Sequence, residues 1–259
     1  MKIRKKTRRV VRKTLMRPWI MYGRQNFVFI LSHMRSRSTL LSHILGSHPE
    51  LCGYAEMHNS YIDSIDLLWL RHQLYERGEK SPVGRLALDK ILHDSLILSP
   101  KVYDDVKVKK IFLLRDPAET VKSILNMGRK LQNVPWHTDQ KQVFSYYNER
   151  LKTLVSYAKE TTNPGFFIDS EDLVKYPGRV LKELSQWLGL KETLRENYAT
   201  FKYTGVEKHG DPFANIKAGK IVKQKSDYSE IVLEEDLLRE AARNFETTRK
   251  LLRQYCITG

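Results

Sequence analysis

The sequence predicts an α/β protein with a single three-layer domain, in which helices cover both faces of a central, mostly parallel sheet. Short apolar runs rich in β-forming residues recur at positions 27–31, 110–114 and 165–169, and a helical pattern follows each run. Alternating strands and helices favour a parallel sheet that is covered on both faces. The length of 259 residues and the hydrophobic share of 41% are enough for one substantial core.

The first unit begins with the apolar run at residues 27–31, which predicts a buried strand. Four apolar residues between positions 40 and 45 then recur at helical spacing, and the pattern stops before Pro49. This spacing predicts a helix over residues 38–47, joined to the strand by a polar loop.

The second and third units have clear helix boundaries. Asp116 is a good N-cap, Pro117 suits the first helical position, and Glu119 completes a capping box. The helix after the third run carries apolar residues at positions 180–188 and is expected to end at Gly189.

The net charge of +15 is concentrated at one end of the chain. Residues 1–24 contain ten lysines and arginines and no acid, so we expect a basic N-terminal arm over 1–24 and one domain over 25–259. Such an arm is more often a solvated tail, although it can also bind an anionic membrane surface or nucleic acid. No nucleic-acid-binding motif is visible in the rest of the chain, so no specific nucleic acid is expected.

Cys52 and Cys256 are the only cysteines, which is too few for a disulfide framework and typical of a reducing compartment. No apolar run is long enough for a signal peptide or a membrane-spanning helix. We therefore expect a cytoplasmic protein, peripheral to the membrane if the arm binds lipid.

The loop after the first strand has the composition of an anion site. Parallel sheets bind ligands beyond the carboxyl ends of their strands, and a helix N-terminus attracts phosphate. The loop and first helical turn add charge and hydroxyl donors from Arg35, Ser36, Arg37, Ser38 and Thr39. The glycines and lysine of a nucleoside triphosphatase loop are missing, which argues against a nucleotide kinase. The sequence thus predicts a P-loop-like nucleotide-binding core, with a purely connecting turn as the alternative.

Residues 32–49 resemble the 5′-phosphosulfate loop of sulfotransferases that use PAPS (3′-phosphoadenosine 5′-phosphosulfate). That loop usually reads Pro-Arg-Ser-Gly-Ser/Thr-Thr-Leu-Leu, and here Met34 replaces the proline and Arg37 the glycine. The resemblance implies that Arg35 contacts the sulfuryl or 5′-phosphate oxygens.

Residues 111–123 resemble the family's 3′-phosphate motif, which implies that Arg115 and Ser123 bind that phosphate. An arginine offers a planar fork of donors to a phosphate, and the alternative for Arg115 is an ordinary salt bridge. Residues 168–190 and 210–220 also resemble the family, so the likeness extends from about residue 27 to residue 220. In the late segment Lys217 and Lys220 are expected to close over the 3′-phosphate, or else to form a solvated basic turn.

The same resemblance implies catalytic roles. Arg35 would stabilise the transferring group, and Lys90 would neutralise the leaving group, its alternative being a surface lysine at a strand end. Glu56 is the preferred general base, with His93 as its competitor and His58 as a weaker choice.

We therefore expect transfer of a sulfuryl group from PAPS to an acceptor hydroxyl on a carbohydrate, lipid or small molecule, with release of PAP and no metal. A non-catalytic nucleotide- or nucleic-acid-binding protein on the same fold is the alternative. The acceptor pocket is expected from residues 59–85 and 128–147, whose aromatic residues either line it or belong to the core: Tyr61, Trp69, Tyr75, Trp136, Tyr146 and Tyr147.

Overall fold

A computed structural model describes residues 2–23, 25–78, 80–131, 134–206, 214–223 and 227–258. Within these residues the strands form one sheet with the order β2-β3-β1-β4-β5-β6, and every neighbouring pair is parallel. The strands are β1 (Phe27–Ser32), β2 (Leu51–Cys52), β3 (Leu86–Ile91), β4 (Val108–Leu114), β5 (Phe166–Asp169) and β6 (Ile257–Thr258).

Helices cover both faces of the sheet, as the sequence predicts. They are α1 (Lys2–Met16), α2 (Ser38–Ser47), α3 (Ser64–Arg77), α4 (Pro100–Tyr103), α5 (Pro117–Leu131), α6 (Gln140–Glu160), α7 (Ser170–Lys175), α8 (Pro177–Leu188) and α9 (Glu235–Tyr255). Short 3-10 helices occupy Pro18–Met21, Pro135–Thr138 and Ala214–Ala218. The three-layer α/β class is confirmed.

Two hydrophobic clusters separate the layers. Val28 and Ile30 of β1 belong to the cluster that contains α2 and α8, whereas Phe29 and Leu31 belong to the cluster that contains α3, α5, α6 and α9. This alternation follows from the two-residue period of a strand, and it makes β1 apolar on both faces. Since β1 lies between β3 and β4 and runs parallel to both, the segments that follow these three strands meet at one edge of the sheet.

The helix boundaries predicted from local signals are accurate. The first helix spans Ser38–Ser47, the range that the apolar spacing predicts. The Glu119 amide donates to the Asp116 carboxylate at 3.0 Å, which caps α5, while the Glu119 carboxylate pairs with Arg115. Gly189 ends α8 with a φ of 69°, a conformation that favours glycine.

The N-terminal segment is packed against the domain, whereas its charge favoured a solvated tail. Val10 of α1 and Ile20 of the following 3-10 helix are fully buried. The fully buried Arg71 of α3 donates to the Ile20 carbonyl at 2.7 Å, and Lys13 pairs with Glu76 of α3 at 2.5 Å. Acids on α3 thus offset part of the positive charge. No helix in the described ranges has the length and apolar character needed to cross a bilayer.

Candidate active site

The loop between β1 and α2 has the shape of an anion cradle. Arg35 and Arg37 have φ values of 58° and 71°, both in the left-handed region. Arg37 is the N-cap of α2, and its side chain makes no hydrogen bond to the first turn. The buried hydroxyl of Ser36 has no hydrogen-bond partner among the described residues. A buried donor at an uncapped helix N-terminus fits a phosphate or sulfuryl oxygen.

Ser38 and Thr39 form the first turn of that helix, so their backbone amides belong to the same cradle. Thr39 also contacts Lys90, which is buried at the end of β3 and whose ammonium donates to the Thr39 hydroxyl at 3.3 Å. The alternative of an exposed surface lysine is therefore wrong. A buried cation beside the cradle favours an anionic ligand.

Arg37, which replaces the glycine of the motif that this loop resembles, has a left-handed backbone that is ordinarily easiest for glycine. Its guanidinium turns away toward α7, donating to the Ser170 carbonyl at 2.8 Å and to the Glu171 carboxylate at 2.7 Å. A left-handed conformation costs a residue with a Cβ about 1 kcal/mol or more. The bonds to α7 help to offset this cost.

The structure brings the two predicted phosphate motifs into contact. The Arg35 side chain donates through Nε to the Ser123 hydroxyl at 2.8 Å, and Arg115 donates through Nη1 to the Arg35 carbonyl at 2.9 Å. Ser123 and Arg115 are both buried. Tyr228, which the sequence analysis missed, donates its hydroxyl to Ser123 at 3.1 Å.

Arg115 is held from several directions. Its amide donates to Nε2 of His33 at 3.2 Å, and its carbonyl accepts from the Tyr147 hydroxyl at 2.8 Å. Burial lowers the pKa of His33 to about 3, so the ring is neutral, and its Nδ1–H donates to the Met34 carbonyl at 2.9 Å. His33 thereby connects the cradle to the end of β4.

The guanidinium of Arg115 has unused capacity for a ligand. Nη2 pairs with Glu119 at 3.0 Å, while the buried Nε has no hydrogen-bond partner among the described residues. Burial lowers the pKa of Arg115, and the nearby charge of Arg37 lowers it further. This accumulation of positive charge would be relieved by a bound anion.

Glu56 lies on the segment that follows β2 and is buried. Its Oε1 makes no hydrogen bond within the described structure, and it lies 3.7 Å from Nδ1 of His58. A buried carboxylate oxygen without a donor is costly unless a ligand supplies one. The side chain of His58 is half exposed.

Asp89 of β3 fixes the segment that carries Glu56. Its Oδ1 accepts from the Met57 amide at 3.0 Å and from the Lys90 amide at 2.7 Å, and its Oδ2 accepts from the Tyr61 hydroxyl. Burial raises the pKa of Asp89 to about 6, with a further contribution from the charge of Glu56. Asp89 thus ties the candidate base to the strand that carries Lys90.

His93, the alternative base, is partly buried within range of the charge of Glu56. Burial lowers the pKa of His93, and the charge of Glu56 partly opposes this effect. The His93 ring contacts Tyr146 with centroids 5.7 Å apart, and Tyr146 contacts Trp136 at 5.2 Å. The His93 ring therefore packs in an aromatic cluster, and the charge of Glu56 acts on both His93 and Tyr146.

Tyr146 also connects the cradle to the end of β3. Its hydroxyl accepts from the Met34 amide at 2.8 Å and donates to the Leu92 carbonyl at 2.7 Å. Two of the other aromatic residues that the sequence offers for a pocket lie elsewhere. Trp69 packs beneath cations of α1, and Tyr75 contacts a tryptophan of the N-terminal segment.

Arg150 of α6 is a second residue that the sequence analysis missed. It is fully buried and donates to the Ser32 carbonyl at 2.8 Å and to the Ile91 carbonyl at 2.6 Å. It also pairs with Asp94 at 2.6 Å. Arg150 therefore joins the carboxyl ends of β1 and β3. A lone arginine within an amphipathic helix gives no sequence signal for this role.

The late basic segment is only partly described. Lys217 and Lys220 are exposed, and the Tyr198 amide donates to the Gly219 carbonyl at 2.8 Å, next to Lys220. Gly210 and the rest of residues 207–213 lie outside the described residues. Closure of the two lysines over a phosphate remains a prediction.

A profile of the sulfotransferase domain family matches residues 25–226, which is most of the chain. The chain therefore belongs to the sulfotransferase family. A search of curated protein sequences found no match.

Three solved structures share the fold. The sulfotransferase domain from the curacin biosynthetic pathway is 21% identical with a TM-score of 0.58, covering 84% of this chain and 96% of that one. The sulfotransferase domain of the Synechococcus PCC 7002 olefin synthase is 20% identical with a TM-score of 0.54, covering 88% and 96%. The mouse sulfotransferase SULT7A1, complexed with PAP, is 16% identical with a TM-score of 0.51, covering 90% of each chain.

Proposed function

We propose that this sulfotransferase takes its sulfuryl group from PAPS, transfers it to an acceptor hydroxyl and releases PAP. The observation that carries the proposal is the contact between the two phosphate motifs, in which Arg35 bonds to Ser123 and Arg115 bonds to the Arg35 carbonyl. One ligand with phosphates at both ends of a ribose would engage both motifs. PAPS has that arrangement.

Each motif has its own part in binding. The cradle of Arg35, Ser36, Arg37, Ser38 and Thr39 would hold the 5′-phosphosulfate through backbone amides, hydroxyls and charge. Arg115 and Ser123 would hold the 3′-phosphate, with Lys217 and Lys220 covering it. The ion pair between Arg37 and Glu171 is partly exposed and therefore weak. A phosphate bound in the cradle can thus compete with Glu171 for the Arg37 guanidinium.

The chemistry is an in-line displacement at sulfur. The acceptor oxygen forms a bond to sulfur while the bond from sulfur to the 5′-phosphate oxygen breaks, and the acceptor proton passes to a general base. Glu56 is the preferred base because its buried Oε1 lacks a donor, and His93 is the alternative. Lys90 would neutralise the leaving phosphate, while Arg35 stabilises the transferring group.

Thermal unfolding with PAP and with AMP tests the donor assignment. At a hundredfold excess over Kd, PAP should stabilise the fold by about 2.7 kcal/mol, which raises Tm by about 5 °C for a chain of this size. AMP should give a smaller shift because it has no 3′-phosphate. Equal shifts would contradict the 3′-phosphate site.

Arg115→Ala should remove most of the difference between the two nucleotides, and Arg115→Lys should restore part of it by returning the charge without the planar fork. Arg195→Ala, at an exposed arginine, is the matched control and should leave the difference unchanged. Using the difference between nucleotides separates binding from any loss of stability in the variant itself.

Turnover with labelled PAPS against carbohydrate, lipid and phenolic acceptors separates the enzyme from a non-catalytic nucleotide-binding protein. Binding of PAP without sulfation of any acceptor class would favour a non-catalytic nucleotide-binding protein.

We also propose that the protein is cytoplasmic, because Cys52 and Cys256 are both free thiols and free thiols are typical of a reducing compartment.

A further inference from the structure

Apart from Arg9, which lies over the Trp69 ring, the described cationic side chains of the N-terminal segment fall into two groups. Those on the side facing α3 are paired with it: Lys6 with Asp66, and Lys13 and Arg17 with Glu76. These pairs attach α1 to the domain.

The second group points outward. Lys5, Arg8 and Arg12 are exposed, and none of the ion pairs found among the described side chains involves them. Their spacing of three and four residues places them on one side of α1. Within the described part of the chain, these three charges therefore add no ion pair to the fold.

Large apolar side chains continue this outward surface toward the end of the segment. Leu15 is 78% exposed, Met16 is 68% exposed and Trp19 is 41% exposed. Leu15 lies three residues after Arg12, in line with the outward cations. Several large exposed apolar side chains on one side of a short segment are typical of a surface that contacts a partner or a membrane.

We propose that this surface, formed by Lys5, Arg8, Arg12, Leu15, Met16 and Trp19 and named here the N-terminal face, docks on an anionic lipid membrane. Charge complementarity favours an anionic partner, because the first 49 residues of the sequence contain no acidic residue that could neutralise the outward cations. The apolar and aromatic members select lipid over nucleic acid, because leucine, methionine and tryptophan gain free energy in the region between headgroups and acyl chains.

The packing of α1 against the domain limits the proposed membrane contact to the outward side of the helix. Val10 is buried against the domain, and the Lys6 and Lys13 pairs run along the length of α3. The helix is thereby held flat, with its outward side free to lie parallel to a bilayer, as interfacial helices do. This inference does not rest on the proposed function, because no residue of the N-terminal face belongs to the candidate active site.

Sedimentation of the full chain with lipid vesicles tests the proposal. Binding is expected with phosphatidylcholine vesicles that contain about a quarter phosphatidylserine, weaker binding in high salt, and little binding with phosphatidylcholine alone. The combined variant Lys5→Gln, Arg8→Gln and Arg12→Gln should bind about a hundredfold more weakly, since each basic residue near an anionic surface contributes several-fold. Glutamine retains a high helix propensity.

The control variant, Lys175→Gln with Lys182→Gln and Lys191→Gln, removes the same charge from exposed sites around α8, on the opposite face of the sheet. It should bind vesicles like the wild type. Equal losses in the two variants would overturn the proposal, because the attraction would then reflect net charge alone.

Leu15→Ser with Met16→Ser tests the apolar contribution and should weaken vesicle binding about tenfold or more while leaving binding to a random DNA duplex unchanged. Binding of the wild type to DNA but not to phosphatidylserine vesicles would also overturn the proposal. Sulfation of a soluble acceptor should be unaffected by every one of these variants, so a failure here is distinguishable from a failure of the proposed function.

Discussion

The left-handed backbone at Arg37 leads to a prediction about the order of stability of two variants. Arg37→Ala and Arg37→Gly both remove the guanidinium and its bonds to Ser170 and Glu171. They differ only in the Cβ that alanine keeps at a φ of 71°. The difference between their free energies of unfolding therefore isolates the cost of that conformation.

Two opposing effects set the magnitude. The left-handed conformation costs alanine about 1–2 kcal/mol relative to glycine, while the greater freedom of glycine in the unfolded chain favours alanine by about 0.4–1 kcal/mol. The glycine variant should thus be the more stable by about 1 kcal/mol, which is about 2 °C in Tm for a chain of this length.

Urea unfolding and thermal melting measure this difference. The matched pair Lys182→Ala and Lys182→Gly, at an exposed position inside α8, should give the reverse order, with alanine more stable by about 1 kcal/mol. If alanine were also the more stable residue at position 37, the left-handed cradle would be wrong, and with it the orientation of the backbone amides toward an anion.

Three further predictions concern single buried groups. Glu56→Gln should lower turnover by about 10²–10⁴-fold and leave PAP affinity unchanged. If His93→Asn lowered turnover severely while Glu56→Gln kept near-normal turnover, His93 would be the base instead. Asp89→Asn should lower turnover without weakening PAP binding, because it loosens the segment that carries Glu56. Burial raises the pKa of Asp89 to about 6 in the folded protein, so between about pH 4 and about pH 6 the folded state holds this proton more tightly than the unfolded state does. In urea unfolding, the free energy of unfolding of the wild type should therefore fall relative to that of Asp89→Asn as pH rises from about 4 to about 6. A difference in free energy that does not change with pH would contradict the raised pKa. Burial lowers the pKa of Lys110 to about 8 in the folded protein. The free energy of unfolding of the wild type should therefore rise by about 3 kcal/mol relative to that of Lys110→Met as pH rises from about 8 to about 10.5. If this difference did not change with pH, the folded protein would hold the Lys110 proton as tightly as the unfolded chain does.

The parts of the fold that depend on local signals were predictable. The apolar spacing in residues 38–47 and the cap at Asp116 are short-range features, and both helix starts are found where these features place them. The resemblance assigned Arg35 and Ser123 to two separate phosphate motifs at the carboxyl ends of parallel strands, but the hydrogen bond between their side chains is found only in the structure.

The supports of the site were not predictable in the same way. His33, Tyr146 and Arg150 act through contacts with residues 54 to 118 positions away, and a single polar residue in an apolar pattern does not identify its distant partner. The packing of the N-terminal segment against the domain is hidden from the sequence for a related reason. Its charge dominated the pattern, and the acids of α3 that pair with it lie about 60 residues further along the chain.

Arg150 has a consequence for the order in which the site is assembled during synthesis. Strands β1 and β3 are complete once residue 91 has left the ribosome, but Arg150, which donates to one carbonyl at the end of each strand, is made later. Until α6 has emerged and docked, the hydrogen bonds by which Arg150 links these two strand ends are missing. Nascent chains that end before residue 150 should therefore bind no nucleotide, even though they contain nearly every residue proposed to contact it.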